Sequence, residues 1–207
     1  MRSNKIEEYK KHLRLTKKQR EIIIGLVLGD GHLETQNGGM TYRLKIEHSL
    51  VQKKYVDMLY AELAEWVGTK PVARTKYSFG KKVVSYGFST YSSGQLRFYG
   101  QQFYQGGKKI IPPIIKKLIS PLSLAIWFMD DGSKKSPIHK SYIIHSLGFA
   151  KNDLKIIQRV LKEKFNLFVS IHRQYDNLRI YIPSESADKF KKLIEPYVIP
   201  SMRYKID

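Results

Sequence analysis

Ile23-Ile-Gly-Leu-Val-Leu-Gly-Asp-Gly31 and Leu124-Ala-Ile-Trp-Phe-Met-Asp-Asp-Gly132 are the two stretches whose reading decides the fold. Each is an apolar run that stops at an aspartate followed by glycine. Thr16, with Gln19 three residues on, is a capping-box pattern that predicts a helix starting at Lys17 and ended by Gly29-Asp30-Gly31. Ser120-Pro121 supplies the second run with an N-cap and a proline at the first helical position, where a missing N–H removes no helical bond. Asp130-Asp131-Gly132 closes it. Helices that are apolar nearly all round belong in an interior.

The segments after the two helices also match each other, which marks an internal duplication. Thr41-Tyr-Arg-Leu-Lys-Ile-Glu47 and Ser141-Tyr-Ile-Ile-His145 are strand-like, and each leads into a helical pattern, Val51 to Val67 and Lys151 to Phe165. Pro71 to Tyr77 and Val83 to Tyr91 predict a hairpin around Phe79-Gly80-Lys81-Lys82. Phe168 to Tyr175 and Leu178 to Ile182 predict its counterpart around Asp176-Asn177. Closing helices are expected at Ser93 to Tyr104 and Ser184 to Tyr197, the second with Ser184 as N-cap. Each half thus reads αββαββα, an α+β class, with 1–107 as the first half, carrying a basic N-terminal extension, and 108–207 as the second. Gln105-Gly-Gly-Lys-Lys109 is the expected joint. Gly25 and Gly29, four apart on one helical face, would let a second backbone approach closely.

Composition narrows the function. Against 18 Asp plus Glu stand 37 Lys plus Arg, a formal charge of +19 spread along 207 residues, which points to a polyanionic partner. The absence of cysteine excludes disulfides, thiol catalysis and every Cys-containing zinc site. The six histidines form no HExxH pair, and no Walker lysine loop is present. No apolar run approaches the roughly 18 residues of a membrane span. Met1 to Lys18 lacks the apolar core of a signal peptide, so an intracellular protein is expected, whether in an organelle matrix, a prokaryotic cytoplasm or a phage-infected cell.

Two buried helices that each end in Asp would deliver two carboxylates to the rim of the core. Either aspartate alone reads as an ordinary turn residue before glycine; two in duplicated contexts do not. A carboxylate at a helix C-terminus meets an unfavourable dipole, so its presence suggests a use. Hard oxygen ligands favour Mg²⁺ (or Mn²⁺), which also suits a phosphodiester substrate.

The two stretches resemble the paired LAGLIDADG motifs of monomeric homing endonucleases, and the resemblance runs from about Thr16 to Lys205. Ser123-Leu-Ala-Ile-Trp-Phe-Met-Asp-Asp-Gly132 is similar to the branch typified by the yeast mitochondrial intron-encoded enzyme. Position three of the motif is Gly25 in one copy and Ile126 in the other, which permits asymmetric packing. The resemblance implies two pseudo-symmetric halves forming a DNA-binding saddle, with Asp30 and Asp131 binding divalent metal and the carbonyls of Gly29 and Asp130 completing the coordination. It also implies a basic residue near each site, Lys109 and Lys205, and polar active-site residues at Glu47 and Gln174. The implied activity is site-specific double-strand cleavage of a long, non-palindromic DNA site by a monomer. An RNA-binding intron maturase and a catalytically silent DNA-binding protein are the alternatives on the same fold.

The strands supply candidate readers. Arg43, Lys45 and Glu47 alternate with Leu44 and Ile46, and Arg74 and Lys76 with Ala73, Thr75 and Tyr77. In the second half Ser170, His172 and Gln174 share a face, as do Asn177, Arg179 and Tyr181 beside inward Leu178, Ile180 and Ile182. A ribbon of such strands can place side chains at base edges in the major groove. Lys81, Lys82, Lys134, Lys135 and Lys140 are expected in loops, meeting phosphates.

Overall fold

The order of elements repeats the duplicated pattern. A computed structural model describes residues 2–78, 80–136 and 138–207. An N-terminal helix α1 (Arg2–His12) precedes the first copy, which is α2 (Lys17–Leu28), β1 (His32–Glu34), β2 (Arg43–Ser49), α3 (Lys53–Glu62), β3 (Val72–Ser78), β4 (Lys81–Ser89) and α4 (Arg97–Phe103). A small hairpin, β5 (Tyr104–Gln105) and β6 (Lys108–Lys109), and a short α5 (Ile115–Leu118) lead to the second copy. That copy is α6 (Pro121–Asp131), β7 (Gly132–Lys134), β8 (Tyr142–Ile144), α7 (Lys151–Phe165), β9 (Ser170–Gln174), β10 (Asn177–Ile182) and α8 (Ser184–Ile194). The chain divides into two compact units, Met1–Arg20 with Asp30–Gln101 and Glu21–Gly29 with Gln102–Asp207. Among the described residues no helix is long and apolar enough to cross a membrane.

The two motif helices start as their sequences predict. Gln19 N donates to Thr16 Oγ1 at 3.2 Å while Thr16 N donates to Gln19 Oε1 at 3.1 Å. Ser120 and Ser123 exchange the equivalent bonds at 3.1 and 3.3 Å at the start of α6.

In the first unit the antiparallel sheet runs β1-β2-β4-β3. Tyr55, Val56 and Leu59 of α3 are buried with Leu44 and Ile46 of β2 and Phe88 of β4. The helix expected over 51–67 is broken: α3 ends at Glu62, and Leu63 starts a separate 3-10 turn, Ala64–Trp66, that buries Trp66. The outer strand β3 differs from its expected one-sided pattern, because Ala73, Thr75 and Tyr77 are exposed along with Arg74 and Lys76, Tyr77 at 77%. Among the described residues, no layer covers either face of this stretch. Phe79, at the expected hairpin turn, lies outside the described residues.

The second unit repeats the topology, with a sheet in the order β7-β8-β10-β9. Leu124 to Met129 of α6 are almost wholly buried. A Cβ on Gly25 would lie 2.5 Å from Ser123 O and 2.6 Å from Ile126 Cβ, so the motif segment of α2 meets α6 backbone to backbone at a position where only glycine fits. The same holds at Gly29, where a Cβ would meet the Asp130 carboxylate at 2.3 Å. Pro183, not Ser184, is the N-cap of α8: its extended conformation (φ −72°, ψ 167°) is where the chain leaves β10, and Ser184 is already helical. The expected joint at Gln105 to Lys109 takes the form of a hairpin. Gly106 (φ 56°) and Gly107 (φ 76°) form a two-residue left-handed turn that sets Tyr104 opposite Lys109.

Candidate active site

The two motif helices end differently. Helix α2 stops at Leu28, Gly29 N still bonding Gly25 O at 3.0 Å, and Asp30 lies past the end with half of its side chain exposed. Helix α6 runs through Asp131 and is capped by an extended Gly132. Of its two acids, Asp130 is buried against Gly29 and Asp131 is the more exposed.

A lysine reaches each helix end. Lys109 Nζ donates to Gly29 O at 2.5 Å. Lys205, buried, donates to Met129 O at 2.5 Å and Asp130 O at 3.0 Å. Both donate to carbonyls at the C-terminal ends of the motif helices, and both bring positive charge where the dipole is negative, offsetting the carboxylates there. The β5–β6 hairpin carries Lys109, and Ile110 N bonds Phe103 O at 2.9 Å behind it. Lys205 sits on a closing 3-10 turn, Pro200–Lys205. That turn is pinned by Arg203 to Glu195 at 2.6 Å, Lys191 to Asp207 at 2.9 Å and the Tyr142 hydroxyl to Ile206 O at 3.0 Å. The carbonyls of Gly29 and Asp130, expected to ligate metal, accept from these lysines here; each retains a second acceptor lone pair.

Strand register decides the fate of Glu47 and Gln174. In the first sheet His32 pairs with Lys45, and extending that register back two residues sets Glu47 opposite Asp30. In the second, Gly132 pairs with Ile144, and His145 N donates to Asp131 O at 2.9 Å. The counterpart of Glu47 is therefore His145. Gln174 lies at the far end of its hairpin, opposite Asn177 and accepting from Arg179 Nη1 at 2.8 Å. It is not brought to the helix end, because β8 pairs only with the Ile180 to Ile182 end of β10. The signal was present in the sequence, where the strands Thr41 to Glu47 and Ser141 to His145 end on these two residues. Lys76, donating at 2.6 Å, holds the Glu47 carboxyl down to about 2, helped by the Ser85 hydroxyl and Lys45 and opposed by burial. Glu47 is thus ionised at any working pH. Burial, then the charges of Arg179 and Lys205, pushes the His145 imidazole below its ordinary value, which keeps it neutral at pH 7, with Nε2 3.2 Å from Ser133 Oγ.

Two further nitrogens meet the motif carboxylates. His48, on the buried face of β2, places Nδ1 3.5 Å from Asp30 Oδ2. Trp127 Nε1 donates to Asp131 Oδ2 at 3.1 Å from one turn earlier in α6. Neither was singled out from sequence, since both read as core residues.

The polar residues of the strands fall on shared sheet faces. Lys45, Glu47, Arg74 and Lys76 share one sheet face, with Glu47 contacted by Lys45, Arg74 and Lys76 at 3.6, 3.5 and 2.6 Å. Arg43 pairs with Glu34 at 2.7 Å. In the second sheet Ser170 lies opposite Tyr181, His172 opposite Arg179 and Gln174 opposite Asn177. Three loop assignments change: Lys81 and Lys82 lie in β4 and Lys134 in β7, because the hairpin turn is tighter and the strand after α6 begins at once. Lys134 Nζ donates to the Asp207 carbonyl. Lys140 stays in a loop, 3.6 Å from Asp188, and Lys135 lies over the Tyr181 ring at 4.8 Å.

This pairing of helix-end aspartates and lysines on a duplicated α+β frame defines a class. The model of the LAGLIDADG DNA endonuclease family matches residues 20–190, and the chain belongs to that family. It is 34% identical to a probable intron-encoded endonuclease 1 of Wickerhamomyces canadensis, over 99% of this chain and 90% of that protein. It is 31% identical to the cytochrome b mRNA maturase bI2 of Debaryomyces hansenii, over 93% of this chain and 74% of that protein. The solved structure of the homing endonuclease I-WcaI bound to its DNA recognition sequence matches with a TM-score of 0.92 at 33% identity, covering 98% of this chain and 92% of that one. The fold is the LAGLIDADG homing endonuclease fold.

Proposed function

We propose that this member of a DNA endonuclease family cuts both strands of a long, non-palindromic duplex site as a monomer. The observation that carries the reading is the repeated helix end, an aspartate with a lysine on the carbonyl beside it, occurring twice in one chain. Asp30 and Asp131 would hold divalent metal. Their donor chemistry fits: carboxylates and helix-end carbonyls are hard oxygens, which suit Mg²⁺ or Mn²⁺. When bound, such an ion activates water and stabilises charge on the phosphate and the leaving oxygen.

The chain's own groups do the rest. Lys109 and Lys205 place ammonium groups at the two helix ends, where they offset negative charge developing on each phosphoryl group. Glu47, permanently ionised, can only accept a hydrogen bond, so it orients water without trading protons. Neutral His145 holds the corresponding position in the second copy and can accept or donate. Arg43, Lys45, Arg74, Lys76, His172 and Arg179 on the sheet faces would contact bases, and Lys81, Lys82, Lys135 and Lys140 the phosphates. A second reading, binding of intron RNA, is favoured by the likeness to a maturase, and nothing in the site opposes its coexistence with cleavage.

Cleavage selection from a randomised duplex library with Mg²⁺ tests the proposal. The expected product pool shares one long site without two-fold symmetry, because the reading strands differ: Arg74 and Lys76 in one sheet answer to Ser170, His172 and Gln174 in the other. A pool with no shared sequence, or no cut duplex, would overturn it.

A further inference from the structure

Each motif aspartate meets an aromatic nitrogen, and the two copies draw it from opposite sources. In the second copy the donor is Trp127, at the fourth position of the motif, whose Nε1 reaches Asp131 Oδ2 at 3.1 Å. The first copy has Leu26 at that position, with no side-chain N–H to offer. It uses β2 instead, where His48 comes directly after Glu47 and places Nδ1 3.5 Å from Asp30 Oδ2. The residue directly after His145, the counterpart of Glu47, is Ser146, and its hydroxyl is spent on the carbonyls of Ile144 and Leu178 at 3.5 and 3.4 Å. The donor that one copy lacks on its helix it has on its strand, and the reverse.

Both donors are held rigidly. Trp127 is fully buried with Phe149 packed edge-on at 6.5 Å between centroids, and the His48 side chain, 2% exposed, meets the buried Tyr55 ring edge-on at 5.1 Å. Neither ring can turn without repacking the core around it. One oxygen of each carboxylate, Oδ2, thus faces a fixed point. The His48 contact is longer than an ideal hydrogen bond, a separation that a small rotation of the Asp30 carboxylate closes, as commonly happens when a site fills.

We infer that His48 and Trp127 are positioning residues, each setting the carboxylate of one active site, so that the two strand cuts are tuned by separate donors. The inference rests on the reading that Asp30 and Asp131 hold the ions. Partners that orient a metal ligand typically change affinity or activity about 10–100-fold when removed.

The test monitors the two strands separately on a doubly end-labelled duplex carrying the selected site. It also titrates Mn²⁺ by EPR into the complex with a duplex made uncleavable at both scissile linkages. Trp127→Phe keeps a ring but removes the N–H; His48→Leu removes the imidazole; His48→Asn returns an N–H near the Nδ1 position. Trp127→Phe should slow one strand about tenfold or more and weaken one of two Mn²⁺ sites. His48→Leu should do the same to the other strand and the other site, with His48→Asn restoring most of both. Loss of folded protein lowers both strands together, so the strand ratio reports positioning and not stability. Equal slowing of both strands, an unchanged Mn²⁺ titration, or no recovery in His48→Asn would overturn the inference. Full cleavage by Asp30→Asn and Asp131→Asn would instead remove the metal reading beneath it.

Discussion

Asp30→Asn and Asp131→Asn should each abolish double-strand cleavage while leaving binding measured in Ca²⁺ close to that of the unaltered chain. Asn is isosteric with Asp but neutral, so the exchange removes the charge that would hold an ion without disturbing the turn after α2 or the end of α6. Losing metal assistance costs several kcal/mol of transition-state stabilisation, about a thousandfold or more in rate at 1.36 kcal/mol per decade. Binding draws on the chain-wide excess of +19 and on the strands, which the exchange leaves intact. Asp130→Asn provides the contrast. Its side chain is buried against Gly29, so its effect should fall on folding more than on cleavage per folded molecule. Full activity of either principal variant, or of the unaltered chain in chelator, would contradict the assignment.

Replacing Lys205 by methionine should produce a double loss. The ammonium is buried and donates to two carbonyls, at Met129 and Asp130. Met fills a similar volume but leaves both acceptors without this donor, a cost of about 1–3 kcal/mol. Cleavage should fall about a hundredfold beyond what the stability loss explains, the scale of removing one preorganised electrostatic group. Lys109, which donates to Gly29 O, is less buried than Lys205. Lys109→Met should therefore match Lys205→Met in lost activity but cost less stability. Thermal unfolding and single-turnover cleavage of both variants separate the two effects. Wild-type cleavage by folded Lys205→Met would reduce this lysine to a helix cap.

The frame was legible because its signals are local. Capping boxes, apolar runs and Asp-Gly stops mark helix ends within a few residues, and α7 runs from Lys151 to Phe165 as its periodicity indicates. The lysines at the helix ends were reached through family resemblance, since nothing local distinguishes Lys109 or Lys205 among so many basic residues. What was missed lacked a local signal. Gln174 was assigned through the resemblance, and its place at the far end of its hairpin, opposite Asn177, depends on a distance along the strand that alternation does not give. The hairpin turn at Gly106-Gly107 was not read within the joint, because a flexible composition and a tight left-handed turn look the same in sequence. His48 and Trp127 sit on apolar faces, and only the tertiary packing shows that each nitrogen meets a carboxylate.

The central claim is that one chain supplies both active sites, and sedimentation of the protein on a duplex carrying its selected site tests it most directly. The account predicts one chain per duplex, with nicked and then linear product formed on that complex without a second copy. Two identical chains on a palindromic site, with cleavage rising steeply with protein concentration, would contradict it even if both aspartates proved essential.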